Sequence, residues 1–212
     1  MRVLAVAGSL RRNSYNRALL RAAARHVPQG AVFELWPGIG ELPAYNEDLD
    51  GADPPPAAVR LRKVIADADA VLFATPEYNS SVPGGLKNLV DWASRPYATN
   101  VVRRKPVAVI GASTGFFGAV WAQAELRKVL GACGALVLDR ELPIARASEA
   151  FAPDGSLADE KLEFALAEIV HELVRLARAQ VSRTQRGCRA CKRFLSSETL
   201  PAGMAATPFS SA

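Results

Sequence analysis

Residues with chemistry to offer gather in three short segments, each set between an apolar run and a helical pattern. The longest is Thr75-Pro-Glu-Tyr-Asn-Ser-Ser-Val-Pro-Gly-Gly-Leu-Lys-Asn88, which follows Ala70-Val-Leu-Phe-Ala74. Pro76 and Pro83 stiffen its backbone, Glu77 brings a carboxylate, Tyr78 a ring and Asn79 an amide. Exposed backbone amides beside an aromatic ring suit a flat heteroaromatic ligand better than a bare phosphate. The second segment, Gly8-Ser-Leu-Arg-Arg-Asn-Ser-Tyr-Asn16, is neither Gly-x-Gly-x-x-Gly nor a Walker A loop. It still supplies what a terminal phosphate needs. Ser9, Ser14 and Asn16 can donate hydrogen bonds, Arg11 adds a charge-assisted fork, and helix-opening amides add the positive end of a dipole. By residue type alone, Ser14 could equally be a simple N-cap and the arginines solvated surface. The third segment, Gly111-Ala-Ser-Thr-Gly-Phe-Phe-Gly118, has glycines that let backbone pass close to a flat ring. Ser113 and Gly115 are its first candidates, with Gly118 behind them.

These segments need a scaffold that brings them together. Near-continuous apolar runs at 3–7, 32–36, 70–74, 107–111 and 135–138 suit strands buried on both faces of a parallel sheet. Helical patterns at 16–24, 57–66, 86–93, 119–130 and 157–179 alternate with them. In the last, Leu162, Ala165, Leu166, Ile169, Val170, Leu173, Val174 and Leu176 repeat at amphipathic spacing, and Asp154-Gly-Ser156 supplies a start. Five alternations predict an α/β three-layer sandwich with a five-stranded parallel sheet of flavodoxin-like order 2-1-3-4-5. In that order the three segments meet at the carboxyl edge of strands one, three and four. The irregular stretch 37–56 is long enough to suggest a functional loop.

A chain of 212 residues with 22% charged residues is an ordinary single globular domain, here placed at 1–180. The net charge is +5, but Arg183, Arg186, Arg189, Lys192 and Arg193 against Glu198 alone put +4 of it beyond residue 180. Residues 181–212 are therefore expected to be a basic, poorly ordered tail on a nearly neutral body. A body at +1 offers no basic stripe for nucleic acid. No apolar run reaches the ~18 residues of a membrane span, and the start leads directly into the first strand, so a cytoplasmic protein is expected. Cys133 fits a small core residue. Cys188-Arg-Ala-Cys191 supplies two of the four ligands a structural zinc site takes, so no metal site is expected. His26 and His171 lie on helical patterns away from the three segments.

The strings Pro76-Glu-Tyr-Asn79, Ser81-Val-Pro-Gly-Gly-Leu-Lys-Asn88 and Asp91-Trp92 resemble the NAD(P)H-dependent FMN reductases, a family that includes quinone, azo-dye and chromate reductases. The similarity runs through residues 1–178, including Leu42-Pro43 and Tyr45-Asn-Glu-Asp48. It implies that Ser9, Arg11, Ser14 and Asn16 hold an FMN phosphate and that Pro76, Glu77, Tyr78 and Asn79 meet the flavin's polar edge. Ser113, Gly115 and Gly118 would lie alongside the ring. Where the family often has a second glycine after Gly118, this chain has Ala119. The implied reaction is ping-pong hydride transfer from NADPH or NADH to bound FMN, and on to a quinone or similar small-molecule acceptor. No general acid or base is assigned, Glu77 being read as a loop residue rather than a proton carrier. Dimers or tetramers are implied, for which Leu86, Leu89, Val90, Trp92 and the Phe116–Trp121 segment offer apolar surface unless they are core. The alternatives are a flavodoxin-like electron carrier, which the neutral body disfavours, and a flavin-free interaction module.

Overall fold

The computed structural model describes the backbone of residues 1–197 and the side chains of residues 1–183. The apolar runs form parallel strands: β1 (Arg2–Ala7), β2 (Val32–Trp36), β3 (Ala70–Thr75) and β4 (Pro106–Ala112), with β5 (Leu136–Val137) and β6 (Pro143–Ile144) sharing the far edge. Their order is β2-β1-β3-β4-β5, with β6 also on β4. The expected topology is present, but its fifth position is split. Val107 pairs with Val137 and Gly111 with Pro143. Four residues separate these pairings along β4 and six along the edge, so the polar Asp139-Arg140-Glu141 stretch is looped out. Gln123, fully buried, bridges this excursion. Its Oε1 accepts from Leu142 N at 3.0 Å and its Nε2 donates to Gly118 O at 3.1 Å.

Helices α1 (Tyr15–Ala24), α2 (Pro56–Asp67), α3 (Gly84–Ser94), α4 (Val120–Ala132) and α5 (Glu160–Ser197) cover both faces. Strand alternation decides which face each residue serves. Val3, Ala5 and Ala7 of β1, with Leu72 of β3 and Ile110 of β4, pack beneath α1 and α5. Leu4, Val6, Val71, Phe73, Val107 and Val109 pack on the other face against α2, α3 and α4. Leu86, Leu89, Val90 and Trp92 of α3 are all buried within this second layer. They are core, not free surface for a partner, because α3 turns its apolar stripe inward.

Two expectations about α5 change. Its N-cap is Asp159, whose Oδ1 accepts from Lys161 N at 2.8 Å. Asp154-Gly-Ser156 is instead a separate turn, with Gly155 at φ 85° and Asp154 ion-paired to Arg25 at 3.0 Å. The helix also continues to Ser197, past the 157–179 pattern and through the first part of the segment expected to be an irregular tail. The expected tail from 198 onward lies outside the described residues. Cys133 is half-buried at the C-cap of α4.

The stretch 37–56 is ordered by side chains that reach out to it. Asn88 accepts from Tyr45 N at 2.7 Å and donates to Pro43 O at 2.8 Å, and the Trp92 indole donates to the same oxygen at 2.8 Å. Arg62 forks onto Asp50 at 2.6 and 2.7 Å. Among the described residues no helix is long and apolar enough to cross a membrane.

Candidate functional site

The carboxyl ends of β1, β3 and β4 lie side by side, because Ala7 pairs with Ala74 and Thr75 with Gly111. The loops leaving them enclose a cavity of about 90 Å³. Its lining includes Ser9, Arg11, Ser14 and Asn16 from the first loop, Pro76, Glu77 and Tyr78 from the second, and Ser113 from the third. Tyr15, Ala112 and Thr114 complete it. Asn79, Gly115 and Gly118 are not on the lining.

In the first loop the buried hydroxyls are organised locally. Ser9 and Ser14 are each 5% exposed. Ser9 Oγ accepts from Arg11 N at 3.4 Å, and Ser14 caps α1 by accepting from Arg17 N at 3.4 Å. Each Oγ keeps a proton to donate, and the first-turn amides of α1 have no partner inside the helix. Asn16 is a clip. Its Nδ2 donates to Ala112 O at 2.9 Å and its Oδ1 accepts from Ala112 N at 3.0 Å, which fixes the end of β4 against α1. Arg11 reaches outward, its guanidinium 6.0 Å from the centre of the Tyr15 ring. Tyr15 in turn stacks on Phe151 at 6.3 Å.

The second loop is a tight hairpin. Tyr78 and Ser81 exchange backbone hydrogen bonds at 3.2 and 3.1 Å around Asn79 and Ser80, at φ 53° and 57°. Two successive left-handed residues make a type I′ turn, a conformation that asparagine tolerates and serine does not favour. Tyr78 is left 51% exposed at the crevice. Two carboxylates pin the hairpin to α4 in opposite senses. Glu77 Oε2 accepts from Ala122 N at 3.0 Å, in the first turn of α4. Glu125 Oε2, from α4, accepts from Ser81 Oγ at 2.6 Å and Val82 N at 3.1 Å. The Ser81 hydroxyl, then the Val82 amide, hold the Glu125 carboxyl below its ordinary range. Glu77 thus serves as a side-chain cap on α4 through Oε2.

In the third loop, Ser113 Oγ accepts from Gly115 N at 3.2 Å. Gly118 has φ 60°, and a Cβ there would stand 2.5 Å from the Pro143 carbonyl carbon and 2.7 Å from Ile144 N. Glycine is required here by the backbone of β6, a contact that the one-dimensional pattern hides. Ala119 follows at φ 62°, so the position where a glycine was expected does take the left-handed conformation.

Sequence reasoning passed over Glu125, Thr114 and Tyr15. Tyr15 sits inside the quoted first segment, so its place between Ser14 and Asn16 was the available signal. Glu125 had none, being an ordinary polar position on a helix until the hairpin folds over it.

Comparison with known proteins agrees with this geometry. The family model described as NADPH-dependent FMN reductase matches residues 1–149. An NAD(P)H-dependent FMN reductase of Pseudomonas aeruginosa is 46% identical over 162 residues, covering 76% of this chain and 86% of its own. A 2-hydroxy-1,4-benzoquinone reductase of a Burkholderia species is 46% identical over 129 residues, 61% of this chain and 69% of its own. The solved structure of FerB, a flavoenzyme NAD(P)H:(acceptor) oxidoreductase of Paracoccus denitrificans, superposes with a TM-score of 0.75 at 41% identity, over 84% of this chain and 98% of that one. With the Gly8–Asn16 loop, the Pro76–Asn79 hairpin and the Ser113–Gly118 turn all at one sheet edge, and with these matches, the chain belongs to the NADPH-dependent FMN reductase family.

Proposed function

We propose that this protein is an FMN-dependent NAD(P)H oxidoreductase that reduces quinones or similar small electrophiles. The observation carrying this reading is the pair of buried hydroxyls, Ser9 and Ser14, at the N-terminus of α1 and beside the Tyr78 hairpin in one cavity. The donor set fits a phosphomonoester: two hydroxyl protons and helix-opening amides gather on one side, and Arg11 adds a cation to the same lining. Asn16 belongs to this end chiefly as the clip that holds α1 to β4. When bound, FMN supplies the capacity to take a hydride from NAD(P)H and return two electrons to an acceptor. The chain's own part is placement. Pro76 and the two carboxylate clamps fix the hairpin, and the Ser113–Gly115 turn fixes the opposite wall. Asn79 and Gly115 act through backbone shape, and Gly118 through packing. The two relatives named for quinone or general acceptor reduction support an acceptor of that class.

The catalytic unit is assigned to residues 1–180, with 181–212 as a basic extension, acting in the cytoplasm. A homodimer or homotetramer is proposed on the exposed Phe117–Trp121 pair, whose rings meet edge-on at 4.9 Å while remaining 61% and 46% exposed. An aromatic pair left in water beside a cavity mouth is a common mark of a contact surface. The deciding experiment is an anaerobic absorbance titration of the FMN-loaded protein with NADPH and then NADH. Stoichiometric bleaching is expected. Bound flavin that neither nucleotide bleaches would turn the assignment to an electron carrier, and failure to bind FMN would remove the assignment altogether.

A further inference from the structure

Arg146 stands where the loop after β6 touches the crevice. Its backbone lies at φ 44°, in the left-handed region that a residue with a Cβ adopts only at a cost. The strain is held by its surroundings: Arg146 N donates to Gly115 O at 3.0 Å, Ala147 N to Ser113 O at 3.0 Å, and Glu149 N to Arg146 O at 2.8 Å. Two of these three bonds tie it to the Ser113–Gly115 turn, and Ser113 lines the cavity. The guanidinium lies 5.1 Å from the centre of the Phe116 ring, which is 74% exposed. Among the described residues Arg146 forms no ion pair, even though Glu149 is three residues along the chain. Glu77, the carboxylate on the cavity lining, is directed into the first turn of α4, while Arg11 adds a cation to the same lining. A strained backbone that presents an unpaired cation on an aromatic platform, at the rim of a redox site, points to recognition of charge.

We propose that Arg146 binds an anionic substituent, such as a sulfonate, carboxylate or phosphate, on one of the two reactants that enter the crevice. The proposal rests on the reductase reading and adds to it a residue that sets reactant preference. An anion in that position gains a charge-assisted bond from the guanidinium, and a reactant without the charge gains nothing from it. The interaction lies near solvent, so salt weakens it.

The test uses FMN-loaded full-length protein as wild type and as Arg146→Gln, Arg146→Lys and Arg146→Gly. Steady-state rates are measured with 1,4-naphthoquinone, with its 2-sulfonate, and with NADH and NADPH. In Arg146→Gln the KM of one anionic reactant should rise about tenfold, the size of one lost charged hydrogen bond. The kcat and the KM for neutral naphthoquinone should hold, and Arg146→Lys should keep most of the wild-type preference. A rise confined to the sulfonated quinone assigns the anion to the acceptor, and a rise confined to the dinucleotides assigns it to their phosphates. Arg146→Gly relieves the left-handed strain, so it should fold at least as well as wild type while showing the same KM change. Unchanged KM values throughout, or an equal rise for neutral naphthoquinone, would overturn the proposal. Calorimetric titration with two non-reducible probes, naphthalene-2-sulfonate and ADP-ribose, gives a readout without turnover. One of them should bind with a salt dependence that Arg146→Gln abolishes. Were turnover absent and this binding difference intact, the reductase reading would fail while the role of Arg146 stood.

Discussion

Arg11 is exposed on the first loop of the crevice, its guanidinium 6.0 Å from the centre of the Tyr15 ring. Removing it takes away a charged donor without opening a core. Arg11→Ala is expected to weaken FMN binding about tenfold, the equivalent of one charged hydrogen bond, with no change in the melting temperature of the flavin-free protein. Fluorescence titration of FMN and a melting curve on the same sample check both halves. Ser80 shows the opposite case, an exposed side chain that forms no hydrogen bond among the described residues while its backbone is held at φ 57°. Ser80→Gly relieves that conformation and should stabilise the protein by about 0.5 kcal/mol, the strain relief being partly offset by the greater freedom of glycine in the unfolded chain. Chemical denaturation midpoints measure it, and a loss of stability would show that the hairpin is not strained. Ser9, Arg11 and Ser14 could be named from the sequence because phosphate-compatible side chains cluster beside one helix start, and the structure places all three on the cavity lining. Asn79 and Gly118 stand off that lining, Asn79 in the hairpin turn and Gly118 against the backbone of β6.

At the scale of elements, the reductase loop is held by helices on either side of it. Glu125 of α4 reaches the hairpin, and its carboxyl is kept below the ordinary glutamate value of about 4.3. A group with a depressed folded pKa contributes stability above its unfolded value and loses it as pH falls through the folded one. The difference in melting temperature between wild type and Glu125→Gln should therefore be full at neutral pH and shrink below about pH 4.3. A difference that stays constant into acid would mean the clamp does not depend on ionisation. Asn88 of α3 does comparable work for the 37–56 loop through Tyr45 and Pro43. Asn88→Ala leaves Tyr45 N unpaired and Pro43 O with the Trp92 indole as its remaining donor, and should destabilise the protein by about 2 kcal/mol. Limited proteolysis should then cut first within 37–56. The string Gly84-Gly-Leu-Lys-Asn88 to Trp92 marks the family, and in this structure its polar members tie down a neighbouring loop as much as they shape the crevice.

For the whole molecule, the layered fold decides what is left outside. The apolar stripe of α3 enters the core, whereas Phe117 and Trp121 at the start of α4 do not. The proposed homo-oligomer predicts that replacing both with glutamate leaves the subunit folded and gives a monomer where light scattering of the wild type gives an assembly. An unchanged assembly would move the contact elsewhere. Charge at this scale is that of a near-neutral body, with +4 of the net +5 carried beyond residue 180.

The sequence by itself determined the strand order, the helix faces and the three segments that meet. Those properties rest on periodicity and on residues adjacent in the chain: alternating apolar runs select a parallel sheet, and turn chemistry follows each strand. It also reached the family, because a long string of loop residues is preserved in order. Only the tertiary structure decided that Asn16 clips Ala112 and that Glu77 and Glu125 cross between the hairpin and α4. The same holds for Gly118, which must yield to the backbone of β6, and for Arg146 beneath the Ser113 turn. Each of these pairs residues far apart in the chain, and long-range contact leaves no local pattern. The split of the fifth strand is of the same kind, since it depends on a buried Gln123 meeting Leu142 and Gly118 across two different loops.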